Sequence, residues 1–203
     1  MSELFAGRHV SRETAAALTD FEALVHRWNP RINLVSRRSL ADLRDRHIGD
    51  SLQLAGFLPQ SGLWLDLGSG GGFPALVLAI LAKETAPELN FRLVESDSRK
   101  CVFLRTAIRE LSLNAEVKTA RIEALPPQHA QVVSARALAD LSTLLGLAAP
   151  HMAPGARALF PKGVTWEKEL AEARATWSFA CTTTRSETDP QSVILDIGDV
   201  VHV

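Results

Sequence analysis

The chain has 203 residues, 46% of them apolar and 22% charged, with a formal net charge of −1. Those proportions suit a soluble globular domain able to sustain its own core, and they exclude a disordered chain, a collagen and a disulfide-stapled miniature. The longest uninterrupted apolar run, Ala75 to Ala82, is eight residues, against the roughly 20 that a membrane span needs. With no basic-then-apolar leader before residue 25, the chain is expected to be cytoplasmic and to have no membrane partner. Cys101 and Cys181 form neither a CxxC pair nor a zinc pattern, so they read as small buried side chains and no metal is expected.

In chain order, residues 11–29 predict an amphipathic helix. Ser11 is its N-cap, Leu18, Phe21, Val25 and Trp28 form one face, and Asn29-Pro30 is expected to break it. A second helix is expected from Ser39 to just before Pro59, burying Leu40, Leu43, Ile48, Leu52 and Ala55. His47 and Asp50 lie three apart on its surface, either facing a ligand cleft or forming a surface pair. Residues 1–60 are thus expected to form a helical arm packed on a main domain at 61–203, the two making one compact unit.

From Leu63 the pattern changes to that of alternating strands and helices. Strands are predicted at 63–67, 91–95, 116–119, 131–135 and 156–160. Helices are predicted after Pro74, which suits a first helical position, after a Ser98 cap, near 138–149 and at 165–177. The helix at Ala75–Ala82 is apolar on every side and should be buried. Two last strands, 178–184 and 192–197, have no helix between them and should pair as an antiparallel hairpin at one edge. The fold class is α/β: a mostly parallel, seven-stranded sheet with helices on both faces.

The loop Asp66-Leu67-Gly68-Ser69-Gly70-Gly71-Gly72-Phe73 falls between the first strand of that sheet and its first helix. In doubly wound sheets this turn is where ligands bind, because glycine lets the backbone approach closely and the helix N-terminus favours an anion. Two cofactors compete. A dinucleotide fingerprint G-x-G-x-x-A matches at Gly70, Gly72 and Ala75 but leaves Asp66 and Gly68 unused. The pattern D-x-G-x-G-x-G, typical of S-adenosylmethionine-dependent methyltransferases, uses Asp66, Gly68, Gly70 and Gly72 together. Glu95, ending the second strand, suits ribose hydroxyls in either case. The terminal hairpin favours S-adenosylmethionine.

Absences narrow the methyl acceptor. An exocyclic amine usually needs an (N/D)-P-P-aromatic loop after the fourth strand, where this chain has Ser134-Ala135-Arg136-Ala137. Pyrimidine C5 needs a cysteine nucleophile, and neither cysteine has the usual proline neighbour. Guanine N7 needs no proton removed, so a site without a base is compatible with its methylation by alignment alone; the elimination leaves the reacting atom open, and no catalytic residue is expected.

Further residues carry a resemblance. Trp28-Asn29 with Asn33-Leu34-Val35-Ser36, Arg46 to Ser51, the glycine loop through Pro74, Lys100 with Phe103-Leu104, Arg121-Ile122-Glu123, Ser134 to Ala137, and Lys162-Gly163 stand from about Phe21 to Gly163. With these the chain resembles the bacterial small-subunit ribosomal RNA guanine-N7 methyltransferases, the glucose-inhibited division protein B family. The resemblance implies a Rossmann-like class I methyltransferase acting on guanine N7 in the 530 loop of 16S rRNA, whose loss would give mild streptomycin resistance. It implies cofactor contacts at Gly68, Phe73, Ile122, Glu123 and Arg136, with Arg136 holding either the methionine carboxylate or the substrate. Ala75 replaces the usual glycine, and Glu95 stands where many members carry Asp. An inactive RNA-binding module and a small-molecule methyltransferase are the other readings.

Charge distribution points to the RNA partner. Between Arg27 and Arg46 six arginines face two acids, Asp42 and Asp45. Arg27, Arg31, Arg37, Arg38, Arg46 and His47 are the candidate contacts to 16S rRNA or the small subunit, with Arg99, Lys100, Arg105 and Arg109 as a rival cluster. The protein is expected to act as a monomer.

Overall fold

The structure is a computed structural model that describes residues 2–203. A hairpin of β1 (Ser2–Phe5) and β2 (Arg8–Ser11), which no sequence pattern announces, leads into α1 (Arg12–Ile32). Ser11 caps α1 as expected, its hydroxyl accepting from Thr14 N at 2.9 Å. Asn29-Pro30 does not break the helix, which runs on to Ile32 and ends with Asn33 in the left-handed region. Proline removes one N–H near a helix end, and the chain there is held instead by Asn29, whose Oδ1 accepts from Val35 N at 2.8 Å.

The expected second helix is four short pieces. α2 (Arg37–Leu40) is followed by a π-turn (Arg44–Gly49), α3 (Asp50–Leu52) and a 3₁₀ turn (Gln53–Phe57). Leu43, Ile48 and Leu52 are buried as expected, whereas Leu40 and Ala55 are only half-buried. The wide π-turn changes the rotation between residues, so the face of a regular helix does not persist.

The main domain comprises β3 (Ser61–Leu67), α4 (Ala75–Thr85), β4 (Glu88–Glu95), α5 (Ser98–Glu110), β5 (Ala115–Thr119), β6 (Ala130–Ala135), α6 (Leu141–Ala148), β7 (Met152–Lys162), α7 (Trp166–Ala173), β8 (Trp177–Arg185) and β9 (Val193–His202). The sheet order is β5-β4-β3-β6-β7-β9-β8, parallel except for β9, which is antiparallel to both β7 and β8. The predicted hairpin is present, with its second strand inserted beside β7 and its first strand at the edge. The caps of α5 and α6 are Asp97 and Asp140, so Ser98 is the first helical residue, not the cap. Pro74 sits at the N-cap position of α4, one place earlier than expected.

Nearly every residue of α4 from Ala75 to Ala82 is buried. One side meets the sheet and the other meets the arm, so Leu18, Phe21, Leu24, Ile48 and Leu52 share a single core with α4, Trp64 and Phe91. Phe21 is fully buried between Phe73 and Phe103, with ring centroids 5.4 and 6.5 Å away. Among the described residues no helix is long and apolar enough to cross a membrane.

Because Phe21 joins the arm to the glycine loop, Phe21→Ala should lower stability by about 3–5 kcal/mol. Urea unfolding should stay a single transition with unchanged slope. An early, separate loss of helix would instead mean that the arm unfolds independently.

Candidate active site

β3 and β6 are neighbours, although the chain passes to β4 and β5 between them, so the sheet's direction of growth reverses at this pair. Crevices outside the carboxyl ends of such strands are ligand sites. Here those ends carry the glycine loop (after β3), Glu95 (β4), Arg136 (after β6) and Lys162 (β7).

The loop is braced from below. Glu95 is buried, and its carboxylate accepts from Gly70 N at 2.9 Å and Asp97 N at 2.8 Å. Each carboxylate oxygen keeps a lone pair for a further donor. Gly72 has φ +87°, and a Cβ there would lie 2.5 Å from Leu76 Cδ1, so this glycine serves the turn itself. Gly71 meets the arm: a Cβ would stand 3.2 Å from the Leu34 carbonyl oxygen. Asn33-Leu34-Val35-Ser36 is therefore the segment that clamps the loop from outside.

A cavity of about 320 Å³ opens here, lined by Gly68, Gly70, Glu95, Ile122, Glu123 and Arg136 among others. Six of the nine residues expected at the cofactor thus share one cavity. Ile122 is buried and Glu123 exposed at the rim. Asp66, Gly72 and Phe73 do not line it. Asp66 lies beneath the loop, accepting from the Ser134 hydroxyl at 2.6 Å, while Ser134 accepts from Trp64 Nε1 at 2.8 Å. Phe73 packs behind, against Phe21, His47 and the Arg136 guanidinium, whose centre is 5.1 Å from its ring. Lys100, Arg121, Leu138 and Leu147 also line the cavity, and no spacing rule marked them as lining it.

Arg136 lies on the wall between this cavity and a second, of about 340 Å³, whose lining includes Asp50, Gln53, Lys162 and residues of the β8–β9 loop. Its Nη2 is 2.6 Å from His47 Nδ1. Burial first, then the charges of Arg136 and Arg46, push the His47 pKa down to about 4, so the ring is neutral at pH 7. With Arg136 the donor, His47 Nδ1 is the acceptor and Nε2 carries the proton, buried without a partner among the described residues. His47 therefore faces inward as a neutral group, not outward as a cation for phosphate. Asp50 also faces the cleft, its Oδ1 accepting from Gln53 Nε2 and Thr188 Oγ1. The tip of the hairpin is tied to the arm a second time by Glu187 N donating to Gln53 Oε1 at 2.8 Å.

The arm's arginines separate into two sets. Arg27 pairs with Glu110 and Arg44 with Glu22, both acids outside the 27–46 stretch. Arg31, Arg37, Arg38 and Arg46 are exposed, and none has an acidic partner within 4 Å among the described residues. In the rival cluster Arg99 pairs with Asp97, and Arg105 donates to Thr119.

Burial pushes the Asp66 pKa up from 3.8 to about 7, opposed in part by the hydrogen bond from Ser134. Between those values the folded chain holds a proton that the unfolded chain has released. The resulting stabilisation is complete below about pH 3.8 and is lost as pH rises through 7. His47 acts in the opposite sense, its contribution being present above pH 6.5 and lost as pH falls toward 4. Asp66→Asn keeps a neutral side chain at every pH, so the difference between wild type and variant isolates Asp66. Relative to wild type the variant should gain up to about 1.4 kcal/mol per pH unit over the steepest stretch. Urea midpoints from pH 5 to 8 would show it; a constant difference would mean that Asp66 is ionised throughout.

The chain is similar to known proteins in both sequence and fold. A family model described as rRNA small subunit methyltransferase G matches residues 14–191. A ribosomal RNA small subunit methyltransferase G from Ruegeria pomeroyi is 54% identical, with 96% of each chain aligned. One from Rhodospirillum centenum is 47% identical over 94% of this chain and 87% of its own. Among solved structures, a putative transferase from Pyrococcus horikoshii superposes with a TM-score of 0.62 at 14% identity, covering all of this chain and 72% of its own. A SAM dependent methyltransferase from Aquifex aeolicus gives 0.56 at 14% identity over 73% of this chain and 88% of its own. On the sequence match along nearly its whole length, this chain belongs to the rRNA small subunit methyltransferase G family.

Proposed function

We propose that this methyltransferase transfers the methyl group of S-adenosylmethionine to N7 of a guanine in the 530 loop of 16S rRNA, in line and without a general base. The cofactor reading rests on the cavity outside β3 and β4, where residues of the chain match a nucleoside carrying an amino acid. The Glu95 carboxylate and the Glu123 rim offer acceptors to hydroxyl or amine donors, Ile122 offers an apolar face to a ring, and Arg136 offers cationic donors to a carboxylate. When bound, S-adenosylmethionine supplies an electrophilic methyl on a positively charged sulfur. A dinucleotide loses its support because Gly72, the second glycine of its fingerprint, is spent on packing against Leu76.

The observation that carries the base-free reading is that three candidate bases or nucleophiles, His47, Lys162 and Cys101, are already engaged. His47 Nδ1 is occupied by Arg136, and Lys162 Nζ donates at 2.7 Å to both Glu169 and the Ala139 carbonyl. Cys101 is buried with its Sγ 3.2 Å from the Glu95 carbonyl oxygen. Asp50, in the neighbouring cavity, keeps one carboxylate oxygen free among the described residues, so the reading rests on guanine N7 having no proton to lose and asking only for alignment. Methylating 16S rRNA from cells that lack the gene, followed by reduction and aniline cleavage, should give one new break at a 530-loop guanine. Methyl transfer without that break would assign a different atom.

Arg31, Arg37, Arg38 and Arg46 are the proposed phosphate contacts, because they remain exposed and make no ion pair within 4 Å among the described residues, while the rival cluster is partly tied down. Arg37→Ala with Arg38→Ala should weaken rRNA binding and reduce the slope of log K against log salt by about 0.7–0.9 for each phosphate no longer neutralised. S-adenosylhomocysteine affinity should not change. Retention of the full slope in that variant, with its loss in Arg105→Ala/Arg109→Ala, would move the RNA face to α5.

A further inference from the structure

The second cavity, beyond Arg136, has a polar pattern that narrows what it can hold. Its floor and walls include Ala139, Pro161, Val193 and Ile194, flat or aliphatic surfaces suited to the face of a ring. Its volume of about 340 Å³ is at the small end of ligand sites. Most polar groups at its edge already have partners. Lys162 is committed to Glu169 and Ala139, Ser186 to Gln53 and Thr188, and Ser192 to Asp189. Asp50 and Arg136 retain the most capacity. Asp50 uses Oδ1 for Gln53 and Thr188, leaving Oδ2 without a hydrogen bond among the described residues. Arg136 has one hydrogen bond, to His47, and its remaining N–H groups are donors on the wall shared with the cofactor cavity. The cavity thus presents an acceptor and a donor side by side.

Bases can be sorted against that pair. Guanine presents a carbonyl, O6, next to two donors, N1–H and the N2 amine. Adenine would set its N1 lone pair against the carboxylate. Cytosine offers two acceptors and one donor, and uracil lacks the amine. We propose that this cavity receives the target guanine swung out of its RNA, with Asp50 accepting from the N1–H and N2-amine edge and Arg136 donating to O6. An enzyme acting on a base takes it out of the stack and reads its Watson–Crick edge in this way. Arg136 also borders the cofactor cavity, so a base held there has its O6/N7 side directed to the methyl donor and its amine away from it. Asp50 is then the specificity residue. The π-turn and the hydrogen bonds from the β8–β9 loop exist around it as its mounting. This inference rests on the guanine-N7 reading above.

The test replaces one atom group of the substrate. In 16S rRNA ligated from two fragments, the guanosine at the mapped methylation position is exchanged for inosine, which keeps O6, N1–H and N7 and lacks only the N2 amine. Loss of one hydrogen bond to a charged acceptor should lower kcat/KM for inosine by about 10- to 100-fold in the wild-type enzyme. In Asp50→Asn, Gln53 and Thr188 keep the amide oxygen, so the amide NH₂ turns into the cavity and opposes the base's own donors. That variant should bind S-adenosylhomocysteine as wild type does, turn over guanosine more slowly, and show a guanosine-to-inosine ratio near 1. Equal use of inosine and guanosine by the wild-type enzyme would overturn the proposal, as would an unchanged ratio in Asp50→Asn. The wild-type comparison decides even where the variant fails to fold. Absence of any N7-methylguanine from the guanosine substrate would instead count against the functional reading itself, and it is detected before inosine is used.

Discussion

The rest of the structure depends on covering α4. A helix that is apolar all round cannot lie on a sheet with its outer side in water, and the residues from Ala75 to Ile80 are all buried. The arm supplies the cover. Leu18, Phe21, Ile48 and Leu52 pack over α4, and in doing so they deliver Leu34 onto Gly71 and His47 onto Phe73 and Arg136. A hydrophobic requirement therefore sets the geometry of the polar site. The same packing explains why the arm motifs and the glycine loop occur together in one sequence, since each is shaped to the other's surface.

Carboxyl groups in the site divide by what surrounds them. Glu95 accepts two backbone N–H groups and serves as a brace at the cavity wall. Asp66, sealed beneath the loop, has one hydroxyl donor on Oδ1 and an Oδ2 with no partner, the condition of a carboxyl pushed toward its neutral form. Asp50 stands between these extremes, held by two side chains from one direction and open from the other. Across the same cleft Arg136 has a neutral histidine for its nearest partner, so its charge is drawn by Asp50 and Asp66 without being consumed by an ion pair. A cation left under-paired in a cleft is available to a ligand.

The tip of the β8–β9 hairpin closes the arrangement. Gln53 and Asp50 bond to Ser186, Glu187 and Thr188, more than 130 residues away in the chain. Arg8 adds a surface ion pair to Glu187 at 2.8 Å, of the exposed kind that contributes little stability by itself. The arm and the β8–β9 loop thus meet on one side of the second cavity, and its shape depends on their joint placement.

The alternation of strands and helices, the burial of Ala75–Ala82, the Ser11 cap and the glycine loop's place between a strand and a helix are all legible in the sequence. Each depends on local periodicity or on a residue type whose backbone preference is strong. Local rules fail where they compete with tertiary contacts. Pro30 stays inside α1 because it costs a helix end little, and the regular helix expected over residues 39–58 gives way to a π-turn that periodicity alone does not reveal. Gly70 and Glu95 are expected cofactor contacts from the sequence, and the structure adds that they bond to each other. Sequence alone determined that an S-adenosylmethionine-type loop and an arginine-rich arm share this chain. Only the tertiary structure decided that His47 is neutral, that Arg27 and Arg44 are paired, that Asp66 does not line the cavity at the glycine loop, and that Asp50 and Arg136 line one cavity. Charge state and availability depend on neighbours distant in the chain, and no spacing along a sequence records them.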